Sequence, residues 1–104
     1  MAKAYALVQG NLQDIETFRR YASPAKESIA AHGGRLIVAT ENKDVREGPV
    51  LTNRTVIVEF PSREAAVRWY ESAEYQALIP VRREATTDCT CVILDGVELP
   101  GPIG

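Results

Sequence analysis

Arg54 and Arg82 carry the side chains best suited to holding a ligand. Guanidinium groups can clamp a carboxylate or phosphate bidentately. The competing reading pairs them with Glu59, Glu84 or a second subunit. Glu59 is a charge inside the apolar run Thr55-Val56-Ile57-Val58-Glu59-Phe60. A carboxylate buried there must be paired, or its pKa rises. It is therefore an acid or base in a cleft, or half of an ion pair with arginine, and the ion pair is the more economical reading. His32 is the only histidine. It could serve as a general base, because its ordinary pKa lies near operating pH. It also falls at an expected helix end, where an imidazolium complements the helix dipole, and that reading is the stronger one.

Trp69, Tyr70 and Tyr75 crowd one stretch of chain. Aromatics so spaced on helices more often pack a core than form a stacking platform, and Trp69 is read as core. A buried phenol hydroxyl needs a partner. Tyr70 and Tyr75 are therefore carried as ligand-binding candidates beside Arg54 and Arg82, and Tyr70 joins His32 and Glu59 as a catalytic candidate. Cys89 and Cys91 stand two apart in an apolar run and share one face of a strand. A bridge across that spacing of roughly 6.5–7 Å would be strained. With only His32 beside them, they complete no tetrahedral metal set. They read as inert strand residues, and no metal or cofactor is expected. A haem site through His32 has no distal constellation. There is no phosphate loop, since Gly33-Gly34 ends a helix instead of opening one. Nucleophile elbows and metal-binding helix motifs are absent too.

Four runs rich in β-branched residues must position these groups: Lys3 to Gln9, Arg35 to Thr40, Arg54 to Phe60 and Thr90 to Asp95. Between the first two, Ile15, Phe18, Ala22, Ala25 and Ile29 recur at helical steps. Asn11 is the expected cap, and Ser23-Pro24 predicts a kinked or two-piece helix. Gly33 or Gly34 supplies its left-handed end. After the third run, Ser62 caps a second helix that turns Ala66, Trp69 and Tyr70 inward. A short helix follows from Ser72 through Ile79, with Pro80 stopping or kinking it. Glu41 to Asn53 reads as a long polar hairpin loop.

The chain has 104 residues, 45% apolar and 25% charged, enough for one domain and too few for two. The expected domain spans 1–97, with 98–104 as a flexible Pro-rich tail. A net charge of −2 offers no basic footprint for nucleic acid. No apolar run is long enough for a membrane span or, at the N-terminus, a secretory signal. A reducing, cytoplasmic location is expected.

The order β-α-β-β-α-β is the ferredoxin-like split pattern, an α+β fold with a four-stranded antiparallel sheet and helices on one face. Yet both faces of the strands are apolar. Val56, Val58 and Phe60 alternate with Thr55, Ile57 and Glu59, and Tyr5 and Leu7 with Ala4, Ala6 and Val8. A sheet apolar on both sides must be covered on both sides. A homodimer through the sheet face is the economical solution.

The run Asn53 to Ser62 resembles domain-of-unknown-function family 1330, and so does Trp69-Tyr70-Glu71-Ser72-Ala73-Glu74-Tyr75-Gln76-Ala77 followed by Arg82. Tyr21, Lys26, Gly33-Gly34, Glu47-Gly48 and Val92-Ile93-Leu94-Asp95-Gly96 fit as well. The resemblance implies a dimeric α/β barrel with a cleft between sheet and helices, in a superfamily that includes cofactor-independent monooxygenases and isomerases. The expected function is binding of a small organic molecule, including an anionic one, in that cleft, with or without such an activity. The alternative is a dimeric binding or regulatory module without chemistry. A third reading uses the tail as an assembly arm.

Overall fold

The computed structural model describes residues 2–97. Its elements are β1 (Ala4–Leu12), α1 (Ile15–Ala31), β2 (Arg35–Thr40), β3 (Arg54–Phe60), α2 (Arg63–Glu71), α3 (Ala73–Ala85) and β4 (Thr86–Asp95). The strands form one antiparallel sheet in the order β2-β3-β1-β4. This is the ferredoxin-like arrangement, with β1 and β2 separated by β3. The tail expected over 98–104 lies outside the described residues. Among the described residues no helix is long and apolar enough to cross a membrane.

Register explains the burial pattern. Ala4 sits opposite Phe60, Ala6 opposite Val58 and Val8 opposite Val56, so these six share one face. The helices cover that face: Ala25 and Ile29 of α1, Ala66 and Trp69 of α2, and Tyr75 and Ile79 of α3 join the same core. Alanines in the central strand leave room for the large rings. Trp69 stacks within 5.3 Å of Phe60 and 4.2 Å of Tyr75, centroid to centroid. Its indole N–H donates to Ser28 Oγ at 3.1 Å, which in turn donates to the Ala25 carbonyl at 2.7 Å. The opposite face carries Tyr5, Leu7, Ile57, Glu59, Val92 and Leu94, with no helix over it.

The helix boundaries follow from where backbone groups find partners. Ser62 caps α2 by accepting from Ala65 N–H, and Ser72 caps α3 by accepting from Tyr75 N–H. The cap of α1 is Asp14, whose carboxylate accepts from the N–H groups of Glu16 and Thr17. Asn11, the expected cap, is spent elsewhere. It belongs to β1, donating to the Leu51 carbonyl and accepting from Asn53 N–H. Pairing with β4 holds β1 extended as far as Leu12, opposite Thr86.

Both prolines lie inside helices, which sets aside the two-piece reading at Pro24 and the stop at Pro80. α1 runs unbroken through Pro24, and α3 continues past Pro80 to Ala85 instead of ending at Ile79. A proline removes the bond to the carbonyl four residues back. Those carbonyls belong to Arg20 and Gln76, both exposed residues, so water can replace the lost partner. Burial on either side then keeps each helix whole: Thr17 before Pro24 and Ala25 and Ile29 after it, Tyr75 and Ile79 before Pro80 and Arg82 after it.

β4 also starts earlier than its apolar run, at Thr86 instead of Thr90. A bulge makes this possible. The register slips between Gln9 and Asn11, and Asp88 takes a positive φ of 54°.

After α1, Gly33 adopts φ 76°, and Gly34 N–H donates to the Ile29 carbonyl at 2.9 Å. A Cβ on Gly34 would lie 2.6 Å from Phe60 Cε1 and 2.9 Å from Ile29 Cγ2. Neither neighbour can swing away in a packed core. Gly34→Ala is therefore expected to cost about 1–3 kcal/mol in urea unfolding. Gly48→Ala meets no atom within 4 Å and bears only the strain of φ 80°, so it should cost less. Equal losses for the two variants would overturn the packing argument.

Candidate functional site

Between α1 and the covered face of the sheet lies a cavity of about 160 Å³. A cavity of roughly 150 Å³ is enough to hold benzene. Val8, Val56 and Val58 form its floor, Phe18 and Ile29 come from α1, and Trp69 from α2. Small residues keep it open: Gly10, Ala22, Ala25 and Ala39 also line it. The β4 bulge shapes one wall, because Cys89 crosses tightly over Gly10, where an added Cβ would meet Cys89 Cβ at 3.2 Å.

Arg54, Arg82, Lys26 and Tyr21 bring polar atoms to these walls. No aspartate, glutamate or histidine is among the described residues lining the cavity. Arg82 is only 5% exposed. Among the described residues it has no carboxylate partner. Its Nε is buried without a hydrogen-bond acceptor, and so is that of Arg54. Arg54 is better compensated. It reaches Glu41 at 3.5 Å and lies 5.3 Å from the Phe18 ring centroid. A buried cation without a counterion is costly, and an anion entering the cavity would remove that cost.

What holds Arg82 is a chain of hydroxyls. Its Nη1 donates to Tyr75 Oη at 2.9 Å, and Tyr75 Oη lies 2.7 Å from Tyr21 Oη. The direction of the chain follows from donor inventory. Arginine only donates, so Tyr75 accepts from it. Tyr75 is fully buried, and the only other partner of its hydroxyl among the described residues is Tyr21. If Tyr21 donated to Tyr75, the Tyr75 proton would have no acceptor, a loss of about 1–3 kcal/mol. Tyr75 therefore donates to Tyr21, and the Tyr21 proton is left for the cavity that Tyr21 lines.

Burial pushes both phenols above the ordinary tyrosine range, with the neighbouring Tyr75 adding to the effect on Tyr21. For Tyr75, burial outweighs the downward pull of Tyr21 and Arg82. Burial disfavours the Arg82 cation, but Tyr75, Cys89 and Tyr21 more than offset it, and Arg82 is raised. At neutral pH the chain is thus one cation and two neutral phenols. Burial likewise raises the Cys91 thiol despite the pull of Arg82. Cys89 and Cys91 are both free.

The structure brings Arg54 and Arg82 together on the cavity wall, with Tyr75 immediately behind Arg82. Tyr70 is turned elsewhere, its ring 6.1 Å from Trp69 and 5.7 Å from Tyr75, outside the cavity lining. His32 caps α1, and its Nδ1–H donates to the Ser28 carbonyl at 2.9 Å. Glu59 lies on the uncovered face, 3.3 Å from Lys3 and 3.2 Å from Arg35. Burial raises the pKa of its carboxyl, but these two cations outweigh it and the net shift is downward. Tyr21 and Lys26 were not among the sequence-derived site residues. The signal for Tyr21 was its place beside Phe18, Ala22 and Ala25 on the inward stripe of α1.

No curated protein is significantly similar to this chain. Solved structures share the fold at low identity. A protein of unknown function from Rhodopseudomonas palustris superposes with a TM-score of 0.76 at 17% identity, covering 94% of this chain and 85% of that one. A dimeric, ferredoxin-like protein of unknown function from Bacteroides fragilis gives 0.54 at 20% identity, covering 89% and 95%. A candidate antibiotic biosynthesis monooxygenase from Nitrosomonas europaea gives 0.62 at 19% identity, covering 91% and 99%. Residues 3–97, from the first strand through the last, match the family described as Domain of unknown function (DUF1330), and the chain belongs to that family.

Proposed function

We propose that this protein binds a small organic anion, about the size of a single ring, in the cavity between α1 and the sheet. The observation that carries the reading is Arg82: a buried cation on the cavity wall with no carboxylate partner among the described residues. Its surroundings are apolar enough to strengthen any charge pairing made there. The lining supplies donors and a ring-sized apolar floor, but no carboxylate or imidazole base. That composition favours binding over proton abstraction by an acidic residue or histidine. A second reading is an enzyme of the cofactor-independent monooxygenase or isomerase type, which the fold of the Nitrosomonas europaea relative and the ordered Tyr21 hydroxyl support. The protein acts as a homodimer through the uncovered sheet face. There Val92 is 46% and Leu94 44% exposed in the single chain, and the Bacteroides fragilis relative is described as dimeric.

Thermal unfolding with benzoate and with neutral benzamide tests the site. Benzoate at about 100 times its Kd should stabilise the protein by roughly 2.7 kcal/mol, a rise in Tm on the order of 10 °C, while benzamide does little. Arg82→Met should abolish the benzoate response and raise the stability of the free protein by on the order of 1 kcal/mol, because it replaces a buried charge that has no carboxylate partner among the described residues with an apolar side chain. An unaltered benzoate response in that variant would remove Arg82 from the site. Strong destabilisation would make Arg82 structural.

For the assembly, Leu94→Lys places a charge on the uncovered face without touching the cavity lining. Sedimentation should find a dimer for the natural sequence and a folded monomer for the variant. A dimer in both would move the interface elsewhere.

A further inference from the structure

The order of donors behind the cavity wall has a consequence for ligand choice. Arg82 donates to Tyr75, donor inventory makes Tyr75 the donor to Tyr21, and the Tyr21 hydroxyl proton is left without a protein acceptor among the described residues, on a side chain that lines a mostly apolar cavity. Tyr75 is fully buried and Arg82 nearly so, which fixes the first two members of the relay against rotation. Tyr75 is packed further by the rings of Trp69 and Tyr70. A cation at the start of such a chain polarises each bond after it and makes the last hydroxyl a stronger donor. The two guanidinium groups, on β3 and α3, each hold an unsatisfied Nε and are the natural partners of a carboxylate. Tyr21 stands on α1, a third element, and needs an acceptor of its own.

We propose that Tyr21 is a specificity-determining donor of this cavity, oriented through Tyr75 and Arg82, and that the ligand is a one-ring carboxylate bearing a second, hydrogen-bond-accepting oxygen. This rests on the anion-binding reading above and adds to it the identity of the second recognised group. Arg82 has two tasks in it. It neutralises the anion and sets the polarity of the relay. Tyr75 is a positioning residue, since it reaches the ligand only through Tyr21. The aromatic and branched side chains of the lining accept the ring, and the volume admits little more than the ring and its two substituents.

The test compares matched probes by calorimetric titration of the full chain: the three formylbenzoates and the three toluates. Each pair has the same charge and nearly the same size, and only the formyl group accepts a hydrogen bond. At least one formylbenzoate should bind about tenfold more tightly than its matching toluate. Tyr21→Phe should erase that preference and leave toluate affinity unchanged. Tyr75→Phe should reduce the preference, again without altering toluate binding. A merely structural role for either tyrosine would weaken both probes together, and the unfolding midpoint of each variant reports on the fold separately. Equal binding of formylbenzoates and toluates by the natural sequence would overturn the second-oxygen assignment while leaving the anion site intact. An equal loss of both probes in Tyr21→Phe at an unchanged unfolding midpoint would overturn the second-oxygen assignment and mean that Tyr21 holds the carboxylate itself. If none of the six binds, both the anion reading and this inference fall.

Discussion

A guanidinium buried without a carboxylate is the constraint around which this fold is arranged. Desolvating such a group costs several kcal/mol even after relaxation. Arg82 survives at 5% exposure because Tyr75 accepts from it and because the rings around Tyr75 leave that hydroxyl only one other partner. Its position depends on α3. Tyr75, Ile79 and Arg82 follow one another on a single helical face at steps of four and three. That face exists only because α3 passes through Pro80 without ending. Had the helix stopped at Ile79, Arg82 would belong to a connection and its head group would reach water.

Much of this architecture is written in the sequence at short range. β2 and β3 coincide with their β-branched runs, and Ser62 and Gly33 act as cap and left-handed terminus as their types require. Period-two alternation also separates Glu59 from Val58 and Phe60, but with both faces apolar only the packed helices show which of the two is left uncovered. The features that were not legible are those decided by distant partners. Asn11 has the right type for a cap, yet Asn53 and Leu51, some forty residues away, claim its side chain. Pro24 and Pro80 weaken their helices locally, but burial on both sides of each outweighs one lost hydrogen bond. The start of β4 depends on a bulge opposite Gly10, and Thr87-Asp88 carries no strand signal of its own.

The candidate site divides along the same line. Arg54 and Arg82 stand out by residue type, and Tyr75 by the need of a buried phenol for a partner. Tyr21 stands out only once the partner of Tyr75 is known, because its value lies in a bond across fifty-four positions of chain. His32 and Glu59 illustrate the opposite case. Both are chemically capable, and both are taken up by nearby partners, a helix carbonyl in one case and two cations in the other.

The cavity itself is a packing choice, and it falls where the cation is. Protein interiors ordinarily fill to crystal-like density, and each unfilled methyl-sized gap costs about 1 kcal/mol. Here Gly10, Ala22, Ala25 and Ala39 meet from three elements around one space, while the large rings of Phe60, Trp69 and Tyr75 pack the core beside it. The same sequence that places small residues there also leaves a buried, unpartnered guanidinium nitrogen on each of two residues that line it, Arg54 and Arg82. Either feature alone would be a defect in the core. Together they are complementary, because the occupant that satisfies the charge also fills the volume. A core selected for stability alone would have used a larger residue at Ala22 or Ala25 and an apolar one at Arg82. This chain does neither, and the two departures converge on one space of ring size.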